Sequence, residues 1–127
     1  MNMLHIPATK STPEISFSEE SHTLFIIGES YPENTFAFFE PVFEWLHMNL
    51  PGMKKLNLHV NISYMNSSST KCMLDILDLL AKSKQAGSDV SVSWYYDREN
   101  DRALDIAEEF EEDAEVPFEI IASEQVL

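Results

Sequence analysis

Leu56-Asn57-Leu58-His59-Val60-Asn61-Ile62-Ser63-Tyr64, then Met65, then Asn66-Ser67-Ser68-Ser69-Thr70-Lys71, is the stretch from which the fold reads outward. Apolar residues at 56, 58, 60, 62 and 64 alternate with polar ones, the period of a strand with one buried and one polar face. After the serine run, Met73, Ile76, Leu77 and Leu80 fall on one helical stripe, with Asp75, Asp78 and Lys82 off it. The spacing predicts a helix from Thr70 to about Gln85, stopped by Gly87. A strand feeding directly into an amphipathic helix is the unit of an α/β fold.

The same unit recurs on both sides. Downstream, Val90, Val92 and Trp94 oppose Ser91, Ser93 and Tyr95, and the turn Asp97-Arg98-Glu99-Asn100 leads into a helix from Asp101 to Glu112 that buries Leu104, Ala107 and Phe110. Phe118, Ile120 and Ala122 form a last short strand. Upstream, Pro32-Glu33-Asn34 caps a helix whose inner face is Phe36, Phe39, Phe43, Leu46 and Leu50. Pro41 should kink or break that helix, and Pro51-Gly52 ends it. Before it, Ile15 and Phe17 pair with Leu24 to Ile27 as a hairpin, after an irregular opening marked by Pro7 and Pro13. The order ββαβαβαβ predicts one α/β domain over residues 1–127, a mixed sheet with helices mainly on one face.

With 44% hydrophobic residues in 127, the chain can bury a real core. Its formal charge of −14, from 22 acidic and 8 basic residues, opposes binding to nucleic acid or to anionic membrane and favours protein partners with basic surfaces. The single cysteine, Cys72, excludes an intrachain disulfide and suits a reducing compartment. The first residues lack the charged start and long apolar core of a signal peptide, and no apolar run spans a bilayer, so a cytoplasmic protein is expected.

Polar residues at a strand-to-helix turn ordinarily cap the helix and do nothing further. Here Ser67, Ser68, Ser69 and Thr70 are consecutive, where capping needs one hydroxyl. A helix N-terminus leaves backbone N–H groups unpaired and carries partial positive charge, so a phosphorylated hydroxyl there is favourably placed. A hydrolase nucleophile is the enzymatic alternative. Against it stand the missing Gly-x-Ser-x-Gly, the 3 glycines of the whole chain, and four histidines (His5, His22, His47, His59) with no spacing that brings a base to the serines. His59 is on a polar-facing position and reads as solvated. No His/Cys cluster has metal-ligand spacing, Cys72 reads as a small buried thiol, and Glu108-Glu109-Phe110-Glu111-Glu112-Asp113 reads as a solvated helix face. No glycine-rich phosphate loop is present. Catalytic residues, metal ligands and cofactors are therefore all expected to be none. In Trp94-Tyr95-Tyr96, Tyr95 opposes its neighbours, so at least one ring should be exposed or meet a partner, unless the rings form a second small core under the loop, the ordinary reading.

His5-Ile6-Pro7, Ser11-Thr12-Pro13, Ser30-Tyr31-Pro32-Glu33-Asn34, Tyr64-Met65-Asn66-Ser67-Ser68-Ser69 and Val92-Ser93-Trp94-Tyr95-Tyr96-Asp97 together resemble the SiaC family of bacterial regulatory phosphoproteins. The resemblance spans nearly the whole chain and implies a STAS-like fold, similar to anti-sigma-factor antagonists. It implies a non-enzymatic regulator that, unphosphorylated, binds and activates a diguanylate cyclase (a GGDEF protein), raising cyclic di-GMP and promoting biofilm. A serine/threonine kinase would switch it off and a PP2C-type phosphatase would restore it. The family's phosphoacceptor, a threonine directly after the motif's asparagine, falls on Ser67, with Ser68 as second choice. Asn66, Ser67, Ser68, Ser69 and Lys71 would face the partner. The alternative output is STAS-type partner switching on an anti-sigma factor or kinase.

Overall fold

A computed structural model describes residues 3–123. One six-stranded sheet runs in chain order, β1 (His5–Ile6), β2 (Glu14–Ser18), β3 (Thr23–Ser30), β4 (Lys55–Met65), β5 (Asp89–Asp97) and β6 (Phe118–Ser123). β1, β2 and β3 are antiparallel, and β3 through β6 are parallel. The helices α1 (Thr35–Asn49), α2 (Ser67–Gln85) and α3 (Asp101–Asp113) make the parallel crossovers. Because the strands follow one another in order, every crossover steps the same way across the sheet. Connections of one hand then leave all three helices on the same face. The mixed sheet and its one-sided cover are as the sequence predicts; β1 is an addition, a two-residue strand within the opening that reads as irregular.

The inward side chains of the sheet, Ile15, Leu24, Ile26, Leu56, Leu58, Val60, Val92 and Trp94, are buried with Phe39 and Leu46 of α1, Ile76 and Leu80 of α2, and Phe110 of α3 in one core. Each fully buried residue of this size contributes about 1.5–3 kcal/mol relative to leaving it exposed. Trp94 has no exposure and stacks on Phe110 at 4.8 Å and Phe118 at 5.7 Å, fixing α3 and β6 to the sheet.

Four local readings need correction. α1 is not broken at Pro41, because Pro41 and Ala37, whose carbonyl loses its partner, both lie on the solvent side where water can replace the bond. Its inner face is Phe39, Val42, Trp45, Leu46 and the adjoining Leu50, whereas Phe36 is 56% exposed. In α3, Ala103, Ala107 and Phe110 are buried and Leu104 only half so. Tyr64 does not continue the inward row of β4. The pairing skips from Gly28↔Ile62 to Glu29↔Tyr64, so Ser63 is an extra residue that turns Tyr64 outward and Met65 inward. Beside this irregularity Gly28 has φ 133°, and a Cβ there would lie 3.3 Å from the Pro13 Cα.

Candidate functional site

The site forms where β4 passes into α2, beside the carboxyl ends of the parallel strands, where open α/β sheets gather their functional groups. α2 begins at Ser67, three positions earlier than the apolar stripe suggests, because its cap is an amide and not a hydroxyl. The Asn66 side-chain oxygen accepts from the Ser69 N–H at 2.9 Å, and the Asn66 carbonyl accepts from the Thr70 N–H at 3.0 Å. The Asn66 N–H donates to the Ser30 carbonyl at 3.0 Å, which ties the cap to β3.

The four hydroxyls then take separate roles. Ser69 is 2% exposed and its Oγ lies 2.7 Å from the Oγ of Ser30, which is wholly buried. Ser68 Oγ lies 2.7 Å from Thr35 Oγ1 at the start of α1. Either hydroxyl of this pair can be the donor; Thr35 Oγ1 also lies 3.3 Å from the Pro32 carbonyl and Ser68 Oγ 3.4 Å from Asn66 Oδ1, both longer contacts. Thr70 Oγ1 donates to the Asn66 carbonyl at 3.2 Å. Ser67 is exposed, and its hydroxyl enters none of these bonds. One turn on, Lys71 is exposed and approaches Asp75 at 3.9 Å, a surface pair worth less than about 1 kcal/mol.

Of the residues singled out by sequence, Asn66 and Ser68 are half-buried, Ser67 on the first turn and Lys71 one turn later lie open, and Ser69 is inside. Sequence reasoning missed Ser30 and Thr35, which hold the run from two other elements, and the Tyr31–Tyr64 ring pair at 5.9 Å beside it. No periodic signal marks these partners; only the adjacency of β3 and β4 brings them together. Cys72 is buried, and burial pushes its thiol pKa up, helped by Asp75 and opposed by Lys71, so it stays protonated and unreactive. Among the described residues no group of three or more His, Cys, Asp or Glu side chains could hold a metal ion. A groove of about 280 Å³ between the far ends of α1 and α2, lined by Leu46, Leu50, Leu79 and Lys82 among others, includes no residue of the serine run. No helix of the described residues is long and apolar enough to cross a membrane.

The family model of the SiaC family regulatory phosphoproteins matches residues 6–123. The chain belongs to this family. An uncharacterized protein of Pseudomonas aeruginosa (strain UCBPP-PA14) is 44% identical over 126 residues, covering 98% of this chain and 100% of its own length. Apo-SiaC from Pseudomonas aeruginosa superposes with a TM-score of 0.89 at 44% identity, covering 96% of this chain and 100% of that one. SiaC solved as the activator in complex with the diguanylate cyclase SiaD, from the same organism, gives a TM-score of 0.89 at 45% identity over 94% of this chain and 99% of that one.

A phosphoryl group on an exposed hydroxyl at the first position of a helix would sit among unpaired N–H groups and within reach of Lys71, four residues on. It would add about −1.5 to −2 charge at neutral pH to a surface that is already acidic.

Proposed function

We propose that this chain is a non-enzymatic regulator that, in its unphosphorylated state, binds and activates a diguanylate cyclase, raising cyclic di-GMP and promoting biofilm formation. A serine/threonine kinase places phosphate on Ser67 and ends the interaction; a PP2C-type phosphatase reverses it. Supporting the partner is the likeness to a SiaC described as the activator of SiaD. The observation that carries the acceptor assignment is that Ser67 alone of the four consecutive hydroxyls is exposed and, among the described residues, unengaged, whereas Ser68 would have to give up Thr35 to be modified. Asn66, Ser68 and Lys71 complete the docking surface around Ser67, with Ser69 supporting it from beneath. Phosphate on Ser67 blocks docking by charge and by the cost of stripping water from a dianion at an interface.

The test is cyclase binding and cyclic di-GMP synthesis with the wild-type chain, its phosphorylated form, and the Ser67→Ala and Ser68→Ala variants. Ser67→Ala should activate the cyclase constitutively and take no phosphate from the kinase, and Ser68→Ala should still be modified. Unchanged cyclase activation by a chain carrying stoichiometric phosphate on Ser67 would sink the proposal.

A further inference from the structure

The face of the sheet turned away from the helices carries a stripe of rings and branched side chains across four strands. Phe25 of β3 lies 4.9 Å, centroid to centroid, from His59 of β4, and His59 stacks on Tyr95 of β5 at 4.3 Å. Tyr95 pairs in register with Ile121 of β6, and Ile27, two residues along from Phe25, is 36% exposed. Sequence reasoning reads His59 as solvated; it is half-buried between two rings, and burial lowers its pKa, so the imidazole is neutral at neutral pH. The stripe departs from the alternation of a half-exposed sheet. Leu24-Phe25-Ile26-Ile27 is apolar at every position, as in strands covered on both faces, yet α1, α2 and α3 cover only one.

The charges around the stripe are mostly negative. Strand residues of this face include Glu14, Glu29, Asp89, Asp97 and Glu119, set against Lys55 and against His5, whose imidazole lies 3.5 Å from Glu14. A second copy of this chain would bring the same carboxylates and a further −14 charge to a two-fold contact. Sheet edges take added strands, whereas a sheet face packs against helices or a second sheet, and helices cover the other face of this one.

We propose that the open face of the sheet is a docking surface for a basic amphipathic helix of a partner protein. Its apolar side lies along Phe25, His59, Tyr95 and Ile121, and its lysines and arginines meet the carboxylates on either side. The surface is made of strand residues, not of the α2 start, so it does not rest on the phosphoswitch, and Ser67→Ala leaves it unchanged.

The experiment titrates the ¹⁵N-labelled chain with a leucine–lysine amphipathic peptide of about 18 residues, long enough for five helical turns, and with a scrambled peptide of the same composition. Saturable amide shifts should map to the outward positions of β3 to β6 for the amphipathic peptide alone. Ile27→Lys and Glu119→Lys, both at exposed positions, should each weaken binding by about tenfold while the circular dichroism spectrum is kept. Shifts centred on Glu108–Asp113 of α3, equal binding of the scrambled peptide, or sedimentation of the free chain as a dimer through this face would each overturn the proposal.

Discussion

The joint from β4 to α2 and the joint from β5 to α3 start their helices in the same way and then diverge. Asn66 caps α2 through the Ser69 N–H at 2.9 Å, and Asn100 caps α3 through the Ala103 N–H at 3.0 Å. Both first helical positions are exposed, but α3 carries the permanent carboxylate of Asp101 there and α2 carries the neutral hydroxyl of Ser67. A negative charge at that position suits a helix dipole, by about 0.3–1 kcal/mol at an exposed site. The comparison teaches that a negative charge at the first position of such a helix is compatible with the fold, so the proposed phosphate on Ser67 would act on what the surface can bind. The asparagine cap, common to both joints, is structural support and not the signal.

The largest effect that could break this comparison is a charge moved two residues inward. Ser69→Asp puts a carboxylate beside the buried Ser30 hydroxyl, and it should cost about 3–5 kcal/mol in a denaturant melt or prevent folding altogether. Tolerance of Ser69→Asp with an unchanged melting temperature would mean that the run is not anchored as described. Next in size, phosphorylation of Ser67 should weaken cyclase binding by about a hundredfold, equivalent to about 2.7 kcal/mol, in a titration at fixed salt. Its melting temperature should meanwhile hold or rise slightly, and a drop would point to disruption of α2 instead. Smaller still, Asn66→Ala and Asn100→Ala should each destabilise the fold by about 1 kcal/mol in urea unfolding. A much larger cost at Asn66 would make the two caps unequal. The smallest effect concerns pH. The folded state holds His59 at a lowered pKa, so it binds fewer protons than the unfolded chain once pH falls below the ordinary histidine value of 6.5. The contribution is therefore level above that pH and is lost below it. His59→Phe should flatten that part of a stability-against-pH curve, and an unaltered slope would assign the dependence elsewhere.

The architecture was legible because it is written in short-range periods. The alternation through Leu56, Leu58, Val60 and Ile62 and the stripe Met73, Ile76, Leu77, Leu80 each report burial within one element, and these residues are buried. What escaped the sequence depends on a second element. Tyr64 faces outward because Ser63 is an extra residue against β3, and Phe36 is exposed because the α1 surface that meets the core is centred on Phe39, Val42 and Leu46. Proline at 41 is tolerated because its unpaired carbonyl partner happens to face water. The serine run stood out by its redundancy, but its division of labour did not. Ser69 and Ser68 find Ser30 and Thr35, residues 39 and 33 positions away in the chain, and Asn66 takes the capping role that a hydroxyl seemed to need.

The pair of hydroxyl contacts that fastens the first turn of α2 to β3 and α1 has a temporal consequence. With Ser68 and Ser69 already bolted to elements on either side, the proposed change of state at Ser67 would need no unwinding or repacking of the first turn. On that reading the regulator would have no moving part, and its response would be as fast as the enzymes that write and erase the phosphate.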